Sequence, residues 1–235
     1  KFKEKAEADA LAAACAGQPV TVKAVKRTEK TENAPRLYDL TALQREANRS
    51  LGYTAQQTLD YLQALYEKKL CTYPRTDSRF LTDDLEPSVP ELVTVAAAIC
   101  ETTAPEGVTA RQVCDSRKVS DHHAILPTAS ASKADTSVLP LGEREILRLV
   151  AGQLLCAVSD AHRYAETAVT LECGGAVFTV KGRTVLDTGW KQYLAQEKQD
   201  AALPVLSEGQ VLDCTEAAVK EGKTAPPKPY TDVIS

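Results

Sequence analysis

Methionine is absent from this sequence, and so is any apolar run long enough to cross a bilayer. A membrane-spanning helix needs about 20 mostly apolar residues, so we expect no membrane span. Residues 1–16 are rich in alanine but carry several charges, whereas a signal peptide needs an apolar centre. Because the chain lacks methionine and begins within a helical pattern, we expect it to be a piece of a longer protein.

An excess of positive charge and a regular cysteine spacing are also missing. The formal net charge is −4, and a free-standing nucleic-acid binder usually has a basic surface. The seven cysteines are scattered and never form a C-x-x-C pair, so we expect neither a disulfide framework nor a zinc site. The sequence therefore indicates reduced thiols in a cytosolic protein, with any strong grip on phosphates lying elsewhere.

Two changes in the spacing of apolar residues divide the chain. Thr54-Ala55-Gln56-Gln57 has the form of a capping box and begins a helical middle that extends to about His162. In the first helix of this middle, one face that we expect to be buried consists of Ala55, Leu59, Leu62, Leu65 and Tyr66. From about residue 164 the period becomes two, and residues 168–180 surround Gly174-Gly175, which predicts a β-hairpin.

Other segments give shorter signals. We predict a helix over residues 1–16 that ends at Gly17, and a second helix over residues 41–51, with Thr41 as its N-cap and Gly52 after its end. Beyond these, the expected elements are a strand over residues 20–26, a loop over residues 28–35, a strand over residues 205–215 and a linker over residues 222–230.

Together these signals predict an α+β fold of two domains. Residues 1–53 would form the first part of a β-rich domain together with its leading helices, and residues 163–235 would form the second part. Neither flank has enough strands to be stable alone, so the two must pair in space. Residues 54–162 would form an inserted helical domain.

The segment that carries most chemical information is Cys71 to Thr82, which contains Tyr73 and Arg75. A tyrosine is a nucleophile when its phenolate is stabilised, and an arginine can hold a phosphate with two hydrogen bonds. A lone Tyr-Pro-Arg is more often a turn after a strand than a catalytic motif. The polar residues around it favour a site, and they include Thr72, Thr76, Asp77 and Arg79.

His122 and His123 are two of the three histidines in the chain. Adjacent side chains on an extended segment point to opposite faces, so the two are poor ligands for one metal ion. We expect one of them to face a site, where it could donate a hydrogen bond to a phosphate or move a proton. The alternative is a polar loop that leads into Pro127.

The helix over residues 41–51 has a polar face. A solvated surface is the default interpretation of such a face. Arg45 and Arg49 are four residues apart and share a side, so together with Gln44 they could instead contact a nucleic acid.

Four stretches, in this order, resemble type IA DNA topoisomerases, and the topoisomerase III branch most closely. Residues 35–48 are similar to the family's leading helix, and residues 51–67 to the helix before the active site. Residues 72–78 match the nucleophile motif, and residues 121–128 match the histidine motif. The hairpin and residues 181–190 fit more loosely.

This resemblance implies that Tyr73 attacks single-stranded DNA, forms a 5′-phosphotyrosine link and religates without ATP. Arg75 and His122 would hold the scissile phosphate, and Thr72, Thr76 and Asp77 would support the site. The expected DNA contacts are Gln44, Arg45, Arg49 and Arg79. The β-rich part would be a hinge, and the whole chain would be the arch of a toroid in a cytoplasmic, nucleoid-associated enzyme that has no membrane partner.

The sequence departs from the family at its start. No strand with an Asp-x-Asp ending resembles the Toprim domain, where the family binds Mg²⁺. The resemblance therefore places the Mg²⁺ ligands in a Toprim domain outside this chain and none within it. The partners expected within the same polypeptide are that domain and the DNA-gripping domain, and we expect this chain by itself to be inactive.

Two other functions remain open from the residues. The chain could be a non-catalytic hinged scaffold or a DNA-clamp module. It could also be a stand-alone tyrosine nuclease or recombinase, although such an enzyme usually needs more catalytic groups than Arg75 and His122.

Overall fold

Strands from both ends of the chain form one sheet. The computed structural model describes residue 2, residues 4–194 and residues 203–222. The helices are α1 Lys5–Cys15, α2 Leu40–Leu51, α3 Ala55–Glu67, α4 Val89–Ile99 and α5 Leu141–Ala157. The strands are β1 Pro19–Glu32, β2 His162–Cys173, β3 Ala176–Asp187 and β4 Val211–Asp213, in the sheet order β3-β2-β1-β4.

The chain divides into two units. Among the described residues, the β unit comprises those up to Thr31, Arg163–Asp187 and residues 203–222, and the helical unit comprises Glu32–His162 and residues 188–194. The first boundary therefore lies before Glu32, not near Tyr53 as the periodicity suggested. The reason is packing, because Leu43 and Ala47 of α2 are fully buried in the core of the helical unit.

The predicted hairpin is confirmed. Strands β2 and β3 pair in antiparallel fashion up to Cys173 and Ala176, and Gly174 and Gly175 form the two-residue turn. Both glycines have positive φ, 57° and 76°, which suits the tight turns whose twist matches that of the strands.

Two predictions for the β unit were wrong in extent. The expected loop over residues 28–35 continues as strand β1 as far as Glu32. Charged residues occupy this part of the strand because they pair across it: Lys30 lies 3.3 Å from Glu166 and Glu29 lies 3.5 Å from Arg163. Conversely, the strand expected over residues 205–215 is limited to β4. The predicted linker over residues 222–230 lies outside the described residues after Gly222.

Local capping interactions fix the helices that precede the site. The Thr54 hydroxyl accepts a hydrogen bond from Gln57 N, and the Gln57 side chain accepts one from Thr54 N, so the predicted capping box is confirmed. Helix α2 begins one residue earlier than predicted, because the Asp39 carboxylate caps it by accepting from Ala42 N at 2.6 Å. Thr41 is exposed and does not act as the cap.

The core of the helical unit lies where α5 packs on α3 and α4. Its largest fully buried side chains in these helices are Leu62, Leu65, Ile146, Leu147, Leu154 and Leu155. At the edge of this core the Lys68 ammonium forms an ion pair with the buried Glu143 carboxylate. The interface therefore joins the end of α3 to the start of α5.

One side chain of α3 lies elsewhere than expected, because Tyr66 was assigned to the buried face of the helix but is 40% exposed. In α5, Leu149 is only partly buried. His162 is buried, and its ring Nδ1 lies 3.1 Å from Thr188 O. Within the described residues, no helix is long and apolar enough to cross a membrane.

The cap of α2 gives a direct test. Replacing Asp39 with Ala should lower the free energy of unfolding of the helical unit by about 1 kcal/mol, because the Ala42 N–H loses its acceptor. Thr41→Ala is the matched control and should lower the free energy of unfolding by less than about half as much. Urea unfolding followed by circular dichroism measures both, and equal losses from the two variants would contradict the assignment of Asp39.

Candidate active site around Tyr73

The segment with Tyr73 is bound at its base to the segment with the histidines. Thr72 N donates to Leu126 O at 3.0 Å, and the Thr72 hydroxyl accepts from Leu126 N at 2.9 Å. Two residues before Thr72, Leu70 O accepts a hydrogen bond from Thr128 N at 3.0 Å. Thr72 thus uses both backbone and side chain to fix the residue that precedes Tyr73.

Beyond Tyr73, the buried Thr76 fixes the segment a second time. Its hydroxyl donates to His122 O at 2.8 Å and accepts from Ser78 N at 3.1 Å. Its carbonyl accepts from Leu40 N at 3.1 Å, which ties the segment to the start of α2. The short stretch from Tyr73 to Arg75 is therefore held between two anchored threonines.

Tyr73 contacts two aromatic rings. The His122 ring lies with its centroid 4.3 Å from that of Tyr73 and is tilted by 37°. The Tyr66 ring meets Tyr73 nearly at a right angle, 83°, at a centroid distance of 5.5 Å. Tyr73 is half-buried and His122 is exposed, so the pair is open to a ligand from one side.

Arg75 is exposed and its guanidinium points towards helix α3. Its NH1 donates a long hydrogen bond of 3.5 Å to Gln63 Oε1. Asp77 is also exposed and accepts from the Ser120 hydroxyl at 3.2 Å. The hydrogen bond between Ser120 and Asp77 thus joins the two segments at the surface. The Arg75 guanidinium contacts a neutral amide and not a carboxylate.

The two adjacent histidines have different surroundings. The His123 ring is half-buried, and its Nδ1 lies 2.7 Å from the backbone oxygen of Ala124. The exposed His122 ring is the one that lies against Tyr73. The structure therefore places His122, and not His123, at the tyrosine.

Cys71 also lies next to the site but is not a competing nucleophile. Burial raises the pKa of its thiol to about 12, so the thiol stays protonated near neutral pH. Tyr73, by contrast, presents its ring at a partly open surface.

The four predicted DNA contacts have different surroundings. Arg45 is exposed, and Arg49 forms a bidentate pair with Glu46. Gln44 donates to Ala55 O at 3.0 Å, which joins α2 to the start of α3. Arg79 donates from Nε to Leu37 O at 2.9 Å. Gln44 and Arg79 therefore donate hydrogen bonds to backbone oxygens within the chain.

Two side chains at the site did not emerge from the sequence as site residues. They are Tyr66 and Gln63, which contact Tyr73 and Arg75 respectively. Their spacing of three residues on α3, just before the polar segment, was the signal available, because positions i and i+3 share one side of a helix.

Comparison with known proteins identifies the family. The family model described as DNA topoisomerase matches residues 1–233. Proteins named DNA topoisomerase 3 are similar over most of the chain: that of Bacillus licheniformis is 38% identical over 94% of this chain, and that of Vibrio cholerae is 37% identical over 95%. These alignments cover 32% and 36% of the two relatives, so the chain spans about a third of their length.

The fold has a counterpart among solved structures. Full-length topoisomerase I from Thermotoga maritima superposes on this chain with a TM-score of 0.70. The match covers 91% of this chain and 35% of the Thermotoga chain. The sequence identity in that match is 22%, so it supports the fold alone. Because the family model matches nearly the whole sequence, the chain belongs to the DNA topoisomerase family and is similar to the topoisomerase III branch of its type IA members.

Proposed function

We propose that this chain is the part of a type IA DNA topoisomerase that carries the nucleophile, Tyr73. The observation that carries the proposal is the contact of the Tyr73 and His122 rings at 4.3 Å on an open surface. Two segments that are far apart in the sequence bring a phenol and an imidazole together there, and Arg75 follows Tyr73 by two residues. This combination suits an anionic substrate.

In the proposed reaction the Tyr73 Oη attacks the phosphorus of a phosphodiester in single-stranded DNA. A bond forms between Oη and phosphorus, and the bond to the 3′ oxygen breaks. The phenolic proton is lost and the departing 3′ oxygen gains one, so the products are a 5′-phosphotyrosine and a free 3′-hydroxyl. Attack by that hydroxyl reverses the step after strand passage, which is why no ATP is required.

The neighbours of Tyr73 take defined roles in this proposal. Arg75 binds the scissile phosphate and stabilises the charge that develops on it. His122 donates a hydrogen bond to the same phosphate. Thr72 and Thr76 fix the segment through their hydroxyls, and Asp77 holds it to Ser120.

Contacts with the remaining strand would come from the exposed polar face of α2. Arg45 and Arg49 are exposed and share that face, and Gln44 lies beside them. Arg79 acts mainly on the backbone at Leu37, so its contribution to DNA binding would be indirect. Single-stranded DNA is the proposed ligand of this surface.

Magnesium belongs, in this proposal, to another domain of the complete protein. Among the residues that the structure describes, no three histidine, cysteine, aspartate or glutamate side chains gather in a way that could hold a metal ion. No step above depends on a metal ion held by these residues. A Toprim domain would supply the ligands, and a DNA-gripping domain would hold the strand.

The division into a β unit and a helical unit supports a hinged arch. Strands from both ends of the chain share one sheet, and most of the helical unit, which contains Tyr73, lies between them in sequence. We propose that the β unit is the hinge of a toroidal enzyme that acts in the cytoplasm on the nucleoid. The alternative, a non-catalytic scaffold, has the same architecture but makes no use of Tyr73.

Replacing Tyr73 with Phe in the full-length enzyme separates these two functions. Phenylalanine keeps the ring contacts but removes the attacking oxygen, so the covalent DNA adduct on a denaturing gel should disappear while the melting temperature stays the same. Cleavage that persists in a folded Tyr73→Phe enzyme would support the scaffold and rule out the proposed nucleophile.

The paired histidines provide a second test. His122→Ala should slow cleavage about 10- to 100-fold, the range for losing one hydrogen bond to a charged group. His123→Ala is the matched control and should slow it less than threefold, because its ring contacts the backbone at Ala124. Single-turnover cleavage of labelled DNA measures both, and a reversed order would exclude His122 from the site.

The chain by itself should form no covalent product with single-stranded DNA and Mg²⁺. A phenol with a reference pKa of about 10 needs a proton acceptor and a stabilised phosphate to react at neutral pH. Binding should also be weak and salt-dependent, because the net charge of −4 opposes it. The full-length enzyme is the positive control, and a Tyr73-linked adduct from the chain alone would show that no other domain is needed.

A further inference from the structure

One face near the end of helix α3 contacts both proposed reactive side chains. Gln63 and Tyr66 are separated by three positions and therefore lie on the same side of the helix. Gln63 accepts from Arg75, and Tyr66 meets the ring of Tyr73. Two neighbouring helix positions thus serve the two residues that would bind and attack the phosphate.

The Tyr66 contact restricts the Tyr73 ring in a direction that the His122 contact does not. His122 lies over the Tyr73 ring at a modest tilt of 37°, whereas Tyr66 stands almost perpendicular to it at 83°. Edge-to-face rings at 5.5 Å are an attractive arrangement. Two neighbours in different orientations limit both the swing of Tyr73 about its first side-chain torsion and the tilt of its ring.

Gln63 is itself held in place. Its Nε2 donates to Glu67 Oε1 at 3.0 Å, which leaves Oε1 of the same amide turned towards the Arg75 guanidinium. The amide flip is thereby fixed, because only one orientation allows both hydrogen bonds. Glu67, Gln63 and Arg75 form a chain in which a neutral group contacts the arginine.

Helix α3 is a rigid base for these contacts. Its first turn is closed by the Thr54 capping box, and Leu62 and Leu65, on the face that borders Tyr66, are fully buried. Tyr66 is 40% exposed, so core packing does not account for its position. The helix therefore presents a fixed surface to the segment from Tyr73 to Arg75.

We propose that Gln63 and Tyr66 are positioning residues, which aim Arg75 at the phosphate and fix the direction of the Tyr73 hydroxyl. This inference rests on the proposed function of Tyr73 and assigns part of its catalytic geometry to α3. Neither residue touches the DNA in the reacting step. Their effect is to raise the fraction of molecules in which the attacking oxygen and the guanidinium are already aligned.

The test uses the full-length enzyme with Tyr66→Ala, Tyr66→Phe and Gln63→Ala. Tyr66→Ala should lower the single-turnover cleavage rate about three- to tenfold, the loss expected for one aromatic pair. Tyr66→Phe retains the ring and should restore the rate. Gln63→Ala should lower the rate by about two- to fivefold, as for one hydrogen bond. The dissociation constant for DNA should change less than twofold in every variant.

Helix α3 supplies a matched control for each position. Tyr61 forms a similar edge-on pair with Tyr53, at 5.2 Å and 61°, away from the site. Gln56 donates to Asp60 at 2.7 Å, with the same four-residue spacing as the bond from Gln63 to Glu67. Tyr61→Ala should lower the melting temperature and Gln56→Ala should change little, and both should cleave at the wild-type rate below their melting temperatures.

The outcomes separate the inference from the function on which it rests. If Tyr66→Ala and Gln63→Ala cleave like wild type while Tyr73→Phe forms no adduct, the function stands and the positioning role is wrong. If Tyr61→Ala and Gln56→Ala slow cleavage as much as their counterparts, the effect is one of helix stability and the inference is also wrong. If Tyr73→Phe still forms the adduct, the proposed function itself fails.

Discussion

The hydrogen bonds between two threonine hydroxyls and a distant segment are the constraint on which the site depends. Thr72 and Thr76 flank Tyr73, and each bonds to the backbone of residues 122–126. A polar segment with few apolar side chains has little hydrophobic reason to adopt one conformation, so these bonds and the adjacent backbone pairs have to define it. Because the Thr76 hydroxyl bonds to the carbonyl of His122, the same bond that fixes the tyrosine segment also fixes the histidine.

Local chemistry made parts of the fold predictable. The capping box at Thr54 and the hairpin at Gly174-Gly175 were visible because a few consecutive residues determine both. The identity of the residue that caps α2 was not determined by the sequence. Asp39 and Thr41 can both accept a backbone hydrogen bond, and the sequence does not show at which of them the helix begins. Strand β1 was predicted too short for a related reason: its charged end is stabilised by ion pairs with β2, and such partners are distant in sequence.

The site was predictable to a different degree. The motifs around Tyr73 and His122 were recognised through the family resemblance, whereas composition and spacing alone favoured a structural turn. Tyr66 and Gln63 were not recognised, because a helical wheel cannot distinguish a face that meets the core from one that meets a functional loop. Tyr66 lies at the border of the apolar face of α3, and only the path of the segment after Leu70 decides that its ring lies against Tyr73.

The distribution of charge explains how an acidic chain can carry a site for an anion. Several arginines in the helical unit are paired with carboxylates, among them Arg49 with Glu46, Arg117 with Asp115 and Arg148 with Glu101. The Arg117 and Lys118 partners hold the pKa of Asp115 well below its usual range, so its carboxylate is charged at neutral pH and offsets positive charge locally. Arg75 instead contacts the neutral amide of Gln63. A carboxylate there would compete with a phosphate for the guanidinium, whereas an amide orients the arginine and leaves its charge available. The net charge of the chain therefore opposes the binding of a DNA strand as a whole, but it does not describe the charge beside Tyr73.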